Sequence, residues 1–279
     1  MSTKKKIIIG LVMFLAFVAI GGIVISAVYS DQVNIVVMGV EGTRTDTLFF
    51  MTIDTKSNTV KALSIPRDTY APTEGKNGLG QKKINAVYGF KEIGGVEGVV
   101  RTVENLLNVK VDHYVKVDYD GVEAIIDLIG GVEVDVPIRM LYDDPYSIPP
   151  LHIDFQPGLQ TIHGDQAMAY LRFRKSNDGK ISGGDVQRIE RQQDFLVNAA
   201  KGLITPKLPY IAYQAMTYVD TDMSAAKAAL LGTAMYGVDK ESVEFQTLPE
   251  DYIGSGKDGL SYFFHDSEAT QALMNEWFQ

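Results

Sequence analysis

The sequence predicts a three-layer α/β/α domain with a central mixed sheet, preceded by one N-terminal transmembrane helix. Short apolar runs bounded by turn residues alternate with segments whose apolar residues recur at helical spacing, the pattern of a sheet covered on both faces. Residues 7–29 carry no charge and directly follow Lys4, Lys5 and Lys6. With 279 residues, 46% of them hydrophobic, the chain has the length to bury one large core or two small ones.

The uncharged run comes first in the chain. At ~1.5 Å per helical residue its 23 residues reach roughly 35 Å, enough to cross the ~30 Å hydrocarbon layer with some tilt. A cleaved signal peptide is the competing reading, but its apolar region runs only ~7–15 residues, and no clean small-residue cleavage site stands before Asp31. The lysines set the topology: residues 1–6 form a cytoplasmic tail, 7–29 span the membrane, and 32–279 form an extracytoplasmic domain.

Within that domain, residues 33–38 (VNIVVM) suit a buried strand that stops at Gly39. Residues 47–54 and 59–65 are two further apolar runs, joined through Thr55-Lys56-Ser57-Asn58 as a hairpin. Pro66 closes the third strand and leaves Arg67, Asp68 and Thr69 at its exit, where a loop can present side chains. Residues 71–82, rich in Gly, Lys and Pro, read as a surface loop. Helical spacing follows over 84–92 and 95–107, then a strand at 113–117, an amphipathic helix at 121–129, and a strand at 132–136 after the Gly130-Gly131 stop. Prolines at 145, 149, 150 and 157 make 141–157 read as irregular. A helix from Asp185 to about 202, an unassigned stretch at 206–218, a helix at 224–236, a strand at 243–248 and a closing helix at 266–277 complete the order. No internal repeat or low-complexity linker divides it, so one external domain is expected.

After Asp31 the chain keeps 23 Lys/Arg against 34 Asp/Glu, a balance of −11. Such a surface lacks the broad basic face with which proteins displace counterions from nucleic acid, so no nucleic-acid partner is expected. There is no cysteine, which excludes disulfides and thiolate metal sites; the core, or bound ions, must hold the domain together.

Against that acidic background residues 166–193 hold +3, from Arg172, Arg174, Lys175, Lys180, Arg188 and Arg191 against Asp178, Asp185 and Glu190. An anion is expected here. Arg172 and Arg174 are two apart, which in an extended backbone puts both guanidinium forks on one side. After a Gly-rich loop, Asp185 caps a helical pattern whose polar face carries Arg188, Arg191 and Gln192 at i, i+3 and i+4, opposite Val186, Ile189, Leu196 and Ala200. Four arginines would converge from two elements, and the planar, permanently charged fork of Arg suits bidentate phosphate binding. The bland alternative is a set of solvated arginines paired with Glu190 and Asp194.

A second cluster lies between the first two strands: Gly39-Val40-Glu41-Gly42-Thr43-Arg44-Thr45-Asp46-Thr47. Glu41 and Asp46, five apart on a strand-connecting loop, could supply hard oxygen ligands to Mg²⁺ or Mn²⁺, ions that bridge carboxylates and phosphates. Acids are also common in loops that hold no metal.

Taken in order, several motifs closely resemble those of the LytR-CpsA-Psr family of bacterial envelope proteins, over about residues 33–279. They are Arg44-Thr45-Asp46-Thr47, Ser64-Ile65-Pro66-Arg67-Asp68-Thr69-Tyr70, Lys83-Ile84-Asn85-Ala86-Val87-Tyr88, Val103-Glu104-Asn105-Leu106-Leu107, Gly130-Gly131-Val132, Leu171-Arg172-Phe173-Arg174 and Arg188-Ile189-Glu190-Arg191-Gln192-Gln193. The resemblance implies a single α/β/α domain after a short cytoplasmic tail and one membrane helix. It also implies an enzyme, a phosphotransferase that moves a glycopolymer from an undecaprenyl-pyrophosphate carrier to a peptidoglycan hydroxyl. Family arginines that hold the pyrophosphate match Arg67, Arg172, Arg174 and Arg188, and a family glutamine matches Gln192. The family holds Mg²⁺ near two acids, one of which matches Asp46; the other is usually aspartate, and here Glu41 stands in its place on a shortened loop.

The residue types suit that chemistry, because phosphoryl transfer spreads negative charge over oxygens and is catalysed mostly by positioning and by the charge of Arg and metal. No Ser/His/Asp set is needed, and His113, His152, His163 and His265 fall outside the motifs and read as structural. Asp68 directly follows Arg67 and could orient it; Asp68 and Asp46 are both candidates for a general base. The same arginines would serve a non-catalytic binder of polyprenyl pyrophosphates or glycans, a pyrophosphate hydrolase, or a transferase that glycosylates surface proteins. A transcriptional role conflicts with an acidic domain lying across the membrane from the chromosome. Teichoic acid, capsule and other wall glycans all fit as the glycopolymer.

Overall fold

The computed structural model describes residues 32–146, 150–173, 175–179, 191, 194, 195, 198, 199, 202, 206–235 and 242–278. The expected membrane helix at 7–29 lies outside them, and no helix among the described residues is long and apolar enough to cross a membrane. In chain order the first elements are β1 (Gln32–Glu41), β2 (Arg44–Asp54), β3 (Thr59–Ser64), a 3-10 turn (Ile84–Gly89), α1 (Gly95–Leu107), β4 (His113–Val117) and α2 (Tyr119–Leu128). Then come β5 (Val132–Val136), β6 (Met140–Asp144), β7 (Leu151–Phe155), β8 (Gly158–Ile162) and α3 (Gly164–Arg172). The rest are α4 (Leu208–Ala215), β9 (Asp220–Thr221), α5 (Ala225–Ala234), β10 (Val243–Thr247), β11 (Glu250–Ser255), β12 (Ser261–His265) and α6 (Ser267–Trp277).

The central sheet has six strands in the order β10-β3-β2-β1-β4-β9. It is mixed: β1 pairs antiparallel with β2 and parallel with β4, and β3 pairs antiparallel with β2 and parallel with β10. The near-continuous apolar run of β1 follows from burial on both faces. Val36 and Met38 join Leu48, Phe50 and Leu63 under Val99, Val103 and Leu107 of α1 and Leu273, Met274 and Trp277 of α6. Val33 and Ile35 pack on the opposite face against Met223 and the α5 residues Ala228 and Leu231. Local chemistry starts the helices where the packing needs them. The Asp118 carboxylate accepts from the Gly121 N–H at 2.9 Å ahead of α2, and Asp266 does the same for Ala269 ahead of α6.

Several elements differ from the expectation. Residues 141–157 are not irregular: β6 pairs with β7, and β8 pairs with β5. Pro145, Pro150 and Pro157 fall between the strands, so they punctuate these ribbons without removing ladder donors. The ribbons bury Val134, Met140, Ile153 and Phe155 in a core of their own with Ile126, Tyr170 and Phe173. Residues 84–92 make only a short 3-10 turn, at whose end Gly89 passes so near Thr43 that a Cβ would lie 2.6 Å from its carbonyl oxygen.

Arg172 is the last residue of helix α3, so Arg172 and Arg174 do not share one extended strand. The helical tendency of Ala167-Met168-Ala169-Tyr170-Leu171 prevails, with Ala167 and Tyr170 buried at i and i+3. At its start the Gln166 side chain accepts from the His163 N–H at 3.3 Å. The unassigned stretch contains α4, and the β11–β12 hairpin is an addition.

Candidate functional site

The carboxyl ends of β1, β3 and β4 and the start of β2 meet at one end of the central sheet, and the motif residues gather there. Open α/β sheets present ligand sites at such carboxyl ends. The β1–β2 ladder keeps register to Gly39 opposite Thr47 and resumes at Val40 opposite Thr45, leaving Asp46 as the extra residue of a bulge. A bulge re-aims one side chain out of the pleat. The connection itself is the tight turn Gly42-Thr43, with Gly42 at φ +59°, so Glu41 and Asp46 stand on strands and not on the loop expected for them.

Arg67 leaves the end of β3, and its Nη1 donates to Asp46 Oδ1 at 2.9 Å; the two side chains are 40% and 33% exposed. Arg44 donates from Nη1 to Oδ1 of buried Asn85 at 3.1 Å, and the Asn85 N–H donates to the Arg67 carbonyl at 3.2 Å. Asp68 does not orient the Arg67 side chain. Its Oδ1 accepts from Lys83 Nζ at 2.8 Å, and its carbonyl accepts from the Phe263 N–H of β12 at 3.0 Å. The Lys83 ammonium lies 5.5 Å from the ring centre of buried Tyr262, whose hydroxyl donates to Asp258. Burial, together with that carboxylate, pushes the Tyr262 phenol up to about 12. Glu41 accepts from the hydroxyl of Tyr119, the first residue of α2.

Asp46 and Glu41 are the two carboxylates that this hairpin carries at the carboxyl end of β1, one on Arg67 and the other on Tyr119. Among the described residues no group of three or more His, Asp or Glu is placed to hold a metal. The donor chemistry alone is compatible with Mg²⁺, which keeps several waters and takes one or two carboxylates plus substrate phosphates, and hard oxygens suit Mn²⁺ as well.

The basic segment divides. Arg174, Arg188 and Gln192 lie outside the described residues, and Arg172 is placed only as the end of α3. Arg191 turns toward the protein: Nε donates to the Tyr170 carbonyl at 3.2 Å and Nη2 to the Phe173 carbonyl. Its guanidinium lies 5.7 and 5.6 Å from the ring centres of the same two residues. It clamps the end of a helix, where carbonyls lack intrahelical donors. His113 stands at the start of β4, at the opposite end of the sheet, between Asp222 at 3.1 Å and Lys227 at 2.6 Å.

Beside the Glu41 corner a cavity of 630 Å³ is lined by Val40, Tyr88, Lys116, Asp118 and Tyr218, among others. Lys83, Asn85 and Tyr119 are contributors that the residue-by-residue reading did not single out. For Lys83 and Asn85 the available signal was two polar residues flanking Ile84, which is fully buried. Tyr119 carried no signal of its own, standing two residues ahead of the helix expected at 121–129.

Residues 21–279 match the model of a family described as the LytR_cpsA_psr family. The polyisoprenyl-teichoic acid–peptidoglycan teichoic acid transferase TagV of Bacillus subtilis (strain 168) is 32% identical over 231 residues, 80% of this chain and 56% of TagV. The transferase of the same description from Bacillus anthracis, TagU, is 31% identical over 261 residues, 88% of this chain and 78% of TagU. The chain spans about half the length of the B. subtilis TagV and TagU sequences it matches, 56% and 50%. The crystal structure of B. subtilis TagV superposes with a TM-score of 0.71 at 29% identity, covering 89% of this chain and 97% of that one.

Proposed function

This chain belongs to the LytR-CpsA-Psr family, homologous to the TagV and TagU teichoic acid transferases, and from that premise we propose that it is a glycopolymer–peptidoglycan phosphotransferase. Its donor is a glycopolymer on an undecaprenyl-pyrophosphate carrier, and its acceptor is a peptidoglycan hydroxyl. Residues 7–29 anchor it in the cell membrane, with 32–279 on the outer side, where both substrates are found.

The observation that carries this reading is the Asp46–Arg67 pair, 2.9 Å apart at the carboxyl end of the sheet, with Arg44 and Glu41 on the same hairpin. Arg67, with Arg172, Arg174, Arg188 and Gln192 on the family's pattern, holds the pyrophosphate, and Arg191 steadies the helix that ends at Arg172. The acceptor oxygen attacks the phosphorus next to the sugar. The bond from that phosphorus to the bridging oxygen breaks, and polyprenyl phosphate leaves with its electron pair. Mg²⁺ or Mn²⁺ held by Asp46 and Glu41 would offset negative charge on the phosphate oxygens. With Asp46 given to the metal, the other candidate base is Asp68, which Lys83 holds through Oδ1 at 2.8 Å and which would accept the hydroxyl proton on its second oxygen.

The test is binding of a polyprenyl pyrophosphate to the full chain in detergent. Arg67→Ala should weaken binding by about tenfold to a hundredfold, the range of ~1.5–3 kcal/mol for charge-assisted hydrogen bonds, with little change in melting temperature. Unchanged affinity would remove Arg67 from the pyrophosphate site.

A further inference from the structure

We infer that the Asp46–Arg67 ion pair is an exchange latch, in which each residue is the other's resting ligand and the divalent ion and the pyrophosphate displace the two together. The inference rests on the proposed metal and pyrophosphate roles and adds a coupling between them. The pair is closed at 2.9 Å yet partly exposed, so incoming ligands can reach both members. Both backbones are fixed: Asp46 by the bulge in the β1–β2 ladder, and Arg67 by the Asn85 N–H on its carbonyl. Exchange therefore needs only side-chain rotation.

Asp68 is held away from Arg67 as a substitute partner, because Lys83 takes its Oδ1 at 2.8 Å and its backbone is tied to β12. A carboxylate oxygen that accepts from a guanidinium has less to give a metal, and the Arg67 charge beside it repels a divalent cation. When a phosphate takes Arg67, Asp46 is released to the metal. By thermodynamic reciprocity each ligand then raises the affinity of the other by the same factor.

The experiment is a titration of the full chain in detergent with Mn²⁺, free Mn²⁺ being read by electron paramagnetic resonance with no lipid or pyrophosphate present. Arg67→Ala should tighten Mn²⁺ binding by about two- to fivefold, the worth of a partly exposed ion pair. Arg44→Gln removes an equal charge from the same hairpin without releasing a carboxylate, and it should give a smaller gain. The Arg67 gain should vanish in the Arg67→Ala/Asp46→Asn double variant, and Arg67→Gln serves in place of Arg67→Ala if the alanine variant fails to fold. If Arg67→Ala binds no tighter than Arg44→Gln while Asp46→Asn weakens binding, the latch is wrong and the metal site stands. If Asp46→Asn changes nothing in either background, the metal assignment fails and the latch with it.

Discussion

Arg67 and Arg191 both come from the ordered motifs, yet their surroundings assign them different kinds of role. Arg67 meets one partly exposed carboxylate, whereas Arg191 donates to two backbone carbonyls and packs against two buried rings. Arg191→Ala should therefore lower stability by about 1–3 kcal/mol, the cost of leaving buried acceptors without donors. At ~2–4 °C per kcal/mol for a domain of this size, its melting temperature should drop well below that of Arg67→Ala. Equal melting temperatures would mean that the clamp carries no weight. Helical spacing put Arg188, Arg191 and Gln192 on one polar face, but spacing cannot say what another element supplies to that face. The carbonyls that Arg191 meets lie 21 and 18 residues away in sequence. Asp68 misleads in the same way: its neighbour in sequence is Arg67, and its partner in space is Lys83.

At the scale of elements, the strands and helices with strong apolar patterning were legible: β1 to β4, α1, α2, α5 and α6 fall where the periodicity put them. The β11–β12 hairpin was not, because β11 (EDYIGS) is almost wholly exposed and shows no apolar alternation. Helix α3 was missed for a different reason, since two arginines two apart suggest a strand while the residues before them favour a helix. The edge strand β9 gives an element whose stability can be read by pH. Lys116 hydrogen-bonds Asp220 at 2.7 Å and holds that carboxyl below its ordinary range. A depressed carboxylate contributes stability above its unfolded-state value of about 4, and this is lost as pH falls through its lower folded value. The Asp220 side chain is 54% exposed, so the contribution is at most ~1 kcal/mol. Thermal melts from pH 7 to pH 3 should show Asp220→Asn less stable at neutral pH and converging on the wild type in acid. A difference that stays constant with pH would assign the loss to something other than this ion pair.

For the molecule as a whole, the sequence announced the architecture through the alternation of strand and helix, and the chemistry through two clusters that are far apart in the chain. Folding puts Glu41, Asp46 and Arg67 at one end of the sheet, and Gln32, the first residue of β1, at the other end of that strand. Ten residues of strand at ~3.3 Å each separate the two, so the site stands roughly 30 Å along β1 from the proposed membrane exit. No local pattern could state that separation, which depends on β1 running unbroken through the sheet. The central claim is transfer itself, and single-turnover reaction of a polyprenyl-pyrophosphate-linked glycan with a peptidoglycan fragment tests it most directly. The expected result is a glycan–phosphate–peptidoglycan product together with polyprenyl phosphate, formed by wild type in Mg²⁺ and abolished in Asp46→Asn. Release of glycan phosphate at the same rate with or without the peptidoglycan fragment, or binding with no turnover under any condition, would contradict it.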